Sequence, residues 1–282
     1  MTLPDGRDLA WVELGDPDGP AIFMFHGTPG SRRQVSFDHE PVLAAGVRFI
    51  APDRPGYGHS TYHRGRRLAD WASDVARLAD HLHIDRFSVV GVSGGGPHAA
   101  CCARFLPERV VTAGIVSGIA PIAEAGSEEG MMGTNRALAR LARVSPYLLY
   151  PPFAFFGWVF RHFPDQAMKA GSGQLPEVDL EVLSRPQVKA AFTEDYRHAP
   201  STAAMAAAQD FSLFAHDWGF RLEDISVPVH IWQGDADRNV PVSHGRLQAQ
   251  RIPGAQFHEC IGEGHMLAVD HMEEILRTVA HT

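Results

Sequence analysis

The chain predicts an α/β fold with a mostly parallel central sheet, flanking helices and a helical segment inserted before the last two strands. Three observations carry this. From about residue 21 to 120, apolar strands alternate with helical stretches, the pattern of parallel βαβ units. Within that stretch, Phe87-Ser-Val-Val-Gly-Val-Ser-Gly-Gly-Gly-Pro-His98 reads as a buried strand, a tight glycine turn and the start of a helix. After Ile119-Ala-Pro121 the strand pattern stops for about a hundred residues and resumes at Ser226-Val-Pro-Val.

The elements follow in order. Residues 1 to about 20 predict a β-hairpin that turns at Pro4-Asp5-Gly6 and closes at Gly15-Asp-Pro-Asp-Gly-Pro20. A long apolar strand then runs to Phe25, and a second precedes Asp53. Leu68 to Leu82 predicts a helix, with Leu68, Trp71, Val75, Leu78 and Leu82 along one face. Strands follow over Phe87–Val92 and Val110–Val116. The helical gap predicts a cap, and the last two strands are Val227–Gly234 and Gln256–Ile261, before a helical C-terminus. The division is therefore 1–120 for the first part of the core, 121–221 for the cap and 222–282 for the rest of the core.

The chemistry is concentrated in the glycine turn. Gly91-Val92-Ser93-Gly94-Gly95 fits G-x-S-x-G, where a tight strand-to-helix turn lifts a serine hydroxyl above the sheet. Ser93 is the candidate nucleophile. A serine needs a base, and the base an orienting carboxylate; on such a sheet they follow in the order Ser, Asp or Glu, His. Asp235-Ala-Asp237 lies in the loop after the first of the late strands, and Gly262-Glu-Gly-His265 after the second. The chain has 16 histidines, but His265 stands out by its glycine-flanked loop past a strand.

These blocks, with Phe25-His26-Gly27-Thr28-Pro29-Gly30 and Asp53-Arg-Pro-Gly-Tyr-Gly-His-Ser60, resemble the α/β-hydrolase fold family over nearly the whole length. The resemblance matches the catalytic carboxylate to Asp237 rather than Asp235. It also implies an oxyanion hole from the backbone N–H groups of Thr28 and Gly94, with His26 supporting that loop. His98, one turn past the nucleophile, is expected to pack against the turn. The implied activity is that of a serine hydrolase on an ester-like bond of a small, apolar substrate, through an acyl-enzyme. Prolyl aminopeptidases, C–C bond hydrolases, lactonases and perhydrolases share the apparatus, as do low-turnover receptors of the same fold. Glu194-Asp195 could imitate the cap carboxylates with which aminopeptidases bind an amino group. Epoxide hydrolases and dehalogenases use aspartate where Ser93 stands.

Other site types are disfavoured. Gly94-Gly-Gly96-Pro-His-Ala99 fits a dinucleotide signature, but no acidic residue ends the next strand. No metal-ligand spacing is present, so neither cofactor nor metal is expected. A net charge of −8 and no basic stripe argue against nucleic acid. Arg64, Arg66 and Arg67 read as a solvated loop. Cys101, Cys102 and Cys260 read as reduced core residues. The chain opens on a polar turn rather than a secretory signal, so a cytoplasmic protein is expected.

The cap carries Tyr147-Leu-Leu-Tyr-Pro-Pro-Phe-Ala-Phe-Phe-Gly-Trp-Val-Phe160, then Phe163, too short and Pro-interrupted for a membrane span. These aromatics are expected to bind the cap to the core and to itself, with some lining an acyl or alcohol pocket. Met266 is placed in the same pocket, and Gly171-Ser-Gly173 reads as a flexible joint.

Overall fold

The computed structural model describes residues 1–122, 130–199 and 202–281. Seven strands form one sheet: β1 (Trp11–Gly15), β2 (Ala21–Phe25), β3 (Arg48–Pro52), β4 (Phe87–Val92), β5 (Val110–Val116), β6 (Val229–Gly234) and β7 (Gln256–Cys260). Their spatial order is β1-β3-β2-β4-β5-β6-β7, with β1 antiparallel and every other pairing parallel.

Both faces of the sheet are covered, which is why its inner strands β2 to β5 read as largely apolar runs. Helix α1 (Glu40–Ala45) precedes β3, α2 (Leu68–His81) precedes β4 and α3 (Gly96–Phe105) follows it. The insert holds α4 (Gly133–Val144), α5 (Tyr150–His162), α6 (Pro164–Ser172), α7 (Glu177–Ser184), α8 (Pro186–Arg197) and α9 (Ala203–Ala215). Helix α10 (Val242–Arg251) lies between β6 and β7, and α11 (Ala268–Ala280) ends the chain. Alternation within β2 sends Phe23 and Phe25 to the core under α2 and α3, and Ile22 and Met24 to the core under α1 and α11. Each such side chain contributes roughly 1.5–3 kcal/mol. Four of the five apolar residues predicted for α2 are buried there, Leu68, Trp71, Val75 and Leu78; Leu82 caps the helix and is only partly buried.

The N-terminal turn at Pro4-Asp5-Gly6 forms where it is predicted, with Thr2 bridged antiparallel to Asp8, but that pairing is short, and the rest of the predicted arm, β1, pairs antiparallel with β3. Gly15, at φ 83°, turns the chain away; a Cβ there would lie 2.1 Å from the Val47 carbonyl. The sheet edge beside β3 offers β1 a full row of partners, which a two-stranded hairpin on the surface lacks. Gly171 and Ser172 close helix α6 and Gly173 opens the following turn.

The helical insert rests on the sheet's C-terminal rim. Helix α9 packs against α4 and α5, α8 against the turn Arg32–Gln34, and α7 against the turn His265–Leu267. Trp218, Leu222 and Ile225 then lie in the main core. Among the described residues, no helix is long and apolar enough to cross a membrane.

Candidate active site

Ser93 follows β4 directly and holds φ 55°, a left-handed conformation costly for a residue with a Cβ. The turn closes because its flanking glycines leave room. A Cβ on Gly91 would lie 2.2 Å from the Gly95 carbonyl, and one on Gly95 would lie 2.2 Å from the Phe25 carbonyl. Backbone cannot yield to such contacts, so the local sequence and the serine's posture are one fact.

Two loops meet the serine from β6 and β7. The Ser93 hydroxyl lies 3.1 Å from His265 Nε2, and His265 Nδ1 lies 2.8 Å from Asp237 Oδ2. Asp237 is buried and also accepts from Gln233 Nε2 at 3.0 Å and from the N–H groups of Asn239 and Val240 at 2.8 and 2.9 Å. Three donors therefore fix its plane against the imidazole. Asp235 instead accepts the Gly262 N–H at 2.7 Å, tying the acid loop to the histidine loop. Burial opposes charge on His265, but Asp237 and then Asp179 outweigh it and hold its pKa above the ordinary histidine value.

Thr28 and Gly94 approach closely across the site: a Cβ on Gly94 would lie 3.1 Å from the Thr28 nitrogen. Beneath them sits a buried ionic cluster. Asp210, on α9, accepts from Arg54 Nη1 at 2.5 Å, Tyr57 Oη at 2.9 Å and Thr28 Oγ1 at 2.9 Å, and pairs with Arg66. Burial alone would raise the Asp210 pKa, but the two guanidiniums prevail and hold it far below the carboxylate range. Arg66 is thus buried, not part of a solvated loop; Arg64 bonds Tyr147 and Arg67 remains on the surface. A carboxylate taken into the interior needs compensation, and Arg66 supplies part of it.

His26 and His98 are both buried beside this cluster. His26 accepts the Arg54 N–H at 3.1 Å through Nε2, so its Nδ1 donates to the Gly27 carbonyl at 2.9 Å. His98 Nδ1 donates to the Gly94 carbonyl at 2.9 Å. Burial, reinforced by Arg54, pushes both imidazoles down, His98 to about 3, so both are neutral.

A cavity of about 180 Å³ lies between the segment Pro29–Arg33 and helices α5, α8 and α9. Its walls include Tyr57, Tyr150, Phe153, Phe156 and Tyr196, and Asp195 stands in its lining. Ser93, His265 and Met266 do not line it. Asp195 is buried with both oxygens engaged, by Ser31 Oγ and by Gln34 Nε2 at 2.9 Å; burial pushes its pKa up to about 6. Glu194 lies on the surface with Arg197 and His198, so the adjacent acids do not form a joint amine site.

The aromatic run behaves differently from the expectation of a buried seam. Helix α5 has no buried residue, and Phe155, Trp158 and Phe163 are 67, 51 and 46 % exposed. Phe153 and Phe160 do engage Phe211 and Tyr196. Cys101 and Cys102 are buried and unpaired, while Cys260 is only partly buried.

Sequence reasoning missed Asp179 and Asp210, both on insert helices. Asp210 carries a signal: it is the one charge in the mostly apolar stretch Ala203–Ala215, where burial demands a cation. Arg54 and Tyr57 stand in the block after β3 but received no role. Asp179 offers nothing comparable, since α7 begins with Glu177 and carries Glu181 beside it. Among the described residues, no group of three or more His, Cys, Asp or Glu side chains is arranged to hold a metal ion.

Comparison with known proteins shows the fold family of the chain. Residues 20–272 match the family model described as alpha/beta hydrolase fold. A bifunctional esterase/perhydrolase of Acinetobacter calcoaceticus is 34 % identical over 285 residues, covering 98 % of this chain and 95 % of the relative. A 2-hydroxy-6-oxononadienedioate/2-hydroxy-6-oxononatrienedioate hydrolase of Cupriavidus pinatubonensis is 26 % identical over 301 residues, covering 99 % of this chain and 92 % of the relative. The solved enol-lactonase of Burkholderia xenovorans superposes with a TM-score of 0.69 at 20 % identity, covering 98 % of this chain and 96 % of that one.

Proposed function

We propose that the chain, which belongs to the alpha/beta hydrolase fold family, is a serine hydrolase that cleaves an ester-like bond of a small, apolar substrate. The observation that carries the reading is the unbroken line from Ser93 Oγ to His265 Nε2, and from His265 Nδ1 to Asp237 Oδ2. The relative named as an esterase/perhydrolase supports the ester class.

In the proposed sequence of steps, His265 Nε2 takes the Ser93 proton as the oxygen attacks the substrate carbonyl carbon. The N–H groups of Thr28 and Gly94 hold the oxyanion of the tetrahedral intermediate. Asp237 stabilises the imidazolium, which returns its proton to the departing alkoxide. Water then attacks the acyl-Ser93 ester, giving its proton to His265, and the acid leaves as Ser93 recovers its hydrogen. No cofactor takes part. Within this reading the helical segment 121–221 is a cap over the core parts 1–120 and 222–282.

The test is reaction with a small fluorophosphonate, with peptide mapping, beside turnover of short and medium p-nitrophenyl esters. The expected result is a single label on Ser93 and parallel loss of ester turnover. Ser93→Ala should lower kcat by about a million-fold; turnover near wild type in that variant would end the assignment.

A further inference from the structure

We infer that Arg54 is a positioning residue for the oxyanion hole, clamping and polarising the peptide Gly27–Thr28 from its carbonyl end. The inference rests on the proposed reading that the Thr28 N–H faces an oxyanion.

The Gly27 carbonyl and the Thr28 N–H are opposite ends of one planar unit, so a donor held on the oxygen sets the direction of the N–H. Two donors are held there. Arg54 Nη2 donates to the Gly27 carbonyl at 2.9 Å, and His26 Nδ1 donates to the same oxygen at 2.9 Å. Arg54 governs both, since its own backbone N–H occupies His26 Nε2 and leaves the imidazole proton on Nδ1. A charged donor on the carbonyl draws electron density along the amide and strengthens the N–H as a donor.

The guanidinium has little freedom. It is fully buried, with Nη1 on Asp210 and Nη2 also donating to Thr28 Oγ1 at 2.7 Å. The Thr28 hydroxyl in turn donates to Asp210, so side chain and peptide of Thr28 are held by one cluster. Two guanidiniums face one carboxylate, leaving a buried excess of one positive charge behind the loop. Negative charge developing at the Thr28 N–H is favoured by that excess, and the groups are already in place before reaction. Asp210 comes from α9, so the oxyanion loop acquires its geometry only with the insert docked.

The experiment compares Asp210→Asn with the double variant R54M/D210N. The double variant keeps the wild-type excess of one positive charge, through Arg66, and leaves no unpaired carboxylate, so the charge is matched against wild type while the comparison with D210N removes the Arg54 guanidinium alone. Relative to D210N, kcat for a p-nitrophenyl ester should fall about 10- to 100-fold, with KM changed less than about threefold. The Thr28 amide proton should move upfield in the NMR spectrum and exchange faster with solvent. Equal kcat and an unmoved Thr28 amide in the two variants would overturn the clamp. Because the amide readout needs no turnover, a wild-type protein inert to every ester and unlabelled at Ser93 would count against the hydrolase reading instead. Should the D210N pair not fold, Arg54→Lys keeps charge beside Asp210 while losing the second donor. It should show the same two changes at smaller amplitude, and its silence in both would equally overturn the proposal.

Discussion

Asp179 on helix α7 accepts the backbone N–H of Met266 at 2.8 Å, one residue beyond the imidazole of His265. A carboxylate from the helical insert therefore caps the short turn that carries the candidate base. Gly264 makes the contact possible: a Cβ there would lie 2.3 Å from Asp179 Oδ1. Burial raises the Asp179 pKa, partly countered by the Met266 and His265 N–H groups, and Asp179 in turn favours the charged form of His265.

Asp179→Asn keeps an acceptor for the Met266 N–H and removes the charge. The His265 pKa should then fall, because one of the groups holding it up is gone. The base works unprotonated, so the acid limb of the kcat/KM profile should move to lower pH, with the plateau changed less than about tenfold. A pH–rate profile of ester hydrolysis checks this; an acid limb that stays in place would show that Asp179 does not act on His265.

Asp237→Asn tests orientation rather than packing. Gln233, Asn239 and Val240 hold the carboxylate from behind, so the amide should keep its place while presenting the wrong partner to His265 Nδ1. A fall in kcat of about ten-thousandfold is expected, with a thermal midpoint close to wild type. Steady-state kinetics and calorimetry on one preparation decide it.

Gly95→Ala should be among the most damaging small substitutions in the chain. Its Cβ would meet the Phe25 carbonyl at 2.2 Å, and neither strand end can retreat without moving Ser93. A loss of about 1–3 kcal/mol is expected, together with a lower titre of phosphonate-reactive serine. Denaturant unfolding and active-site titration measure the two effects.

His98→Gln has a sign that depends on pH. In the folded protein burial holds His98 neutral down to about 3, whereas in the unfolded chain it takes up a proton near pH 6.5. Between those values unfolding binds a proton, so His98 costs stability progressively as pH falls below 6.5. The variant starts less stable at pH 8 for want of the Gly94 contact, yet it should gain on wild type by up to ~1.4 kcal/mol for each unit below 6.5. Urea unfolding at pH 8, 6 and 5 tests the crossing trend.

What the chain determined alone is local. Ser93 was legible because the turn is enforced within five residues, where Gly91 and Gly95 must lack a Cβ for the backbone to close. Asp237 and His265 were legible because each follows a strand of a parallel sheet, which delivers its loops to one rim. What only the tertiary structure decided is the pairing of charges far apart in the chain. Asp210 meets Arg54 and Arg66 across 156 and 144 residues, and Asp179 reaches Met266 across 87. Such pairings follow from how the insert helices seat on the rim, and no short-range periodicity encodes that placement. The same reason governed β1: the turn signals at Pro4-Asp5-Gly6 and Gly15–Pro20 bounded it, but only the free edge beside β3 settled which strand it joined. It also left Phe155 and Trp158 in solvent, since an apolar run states a preference for burial and only the neighbouring helices can supply the cover.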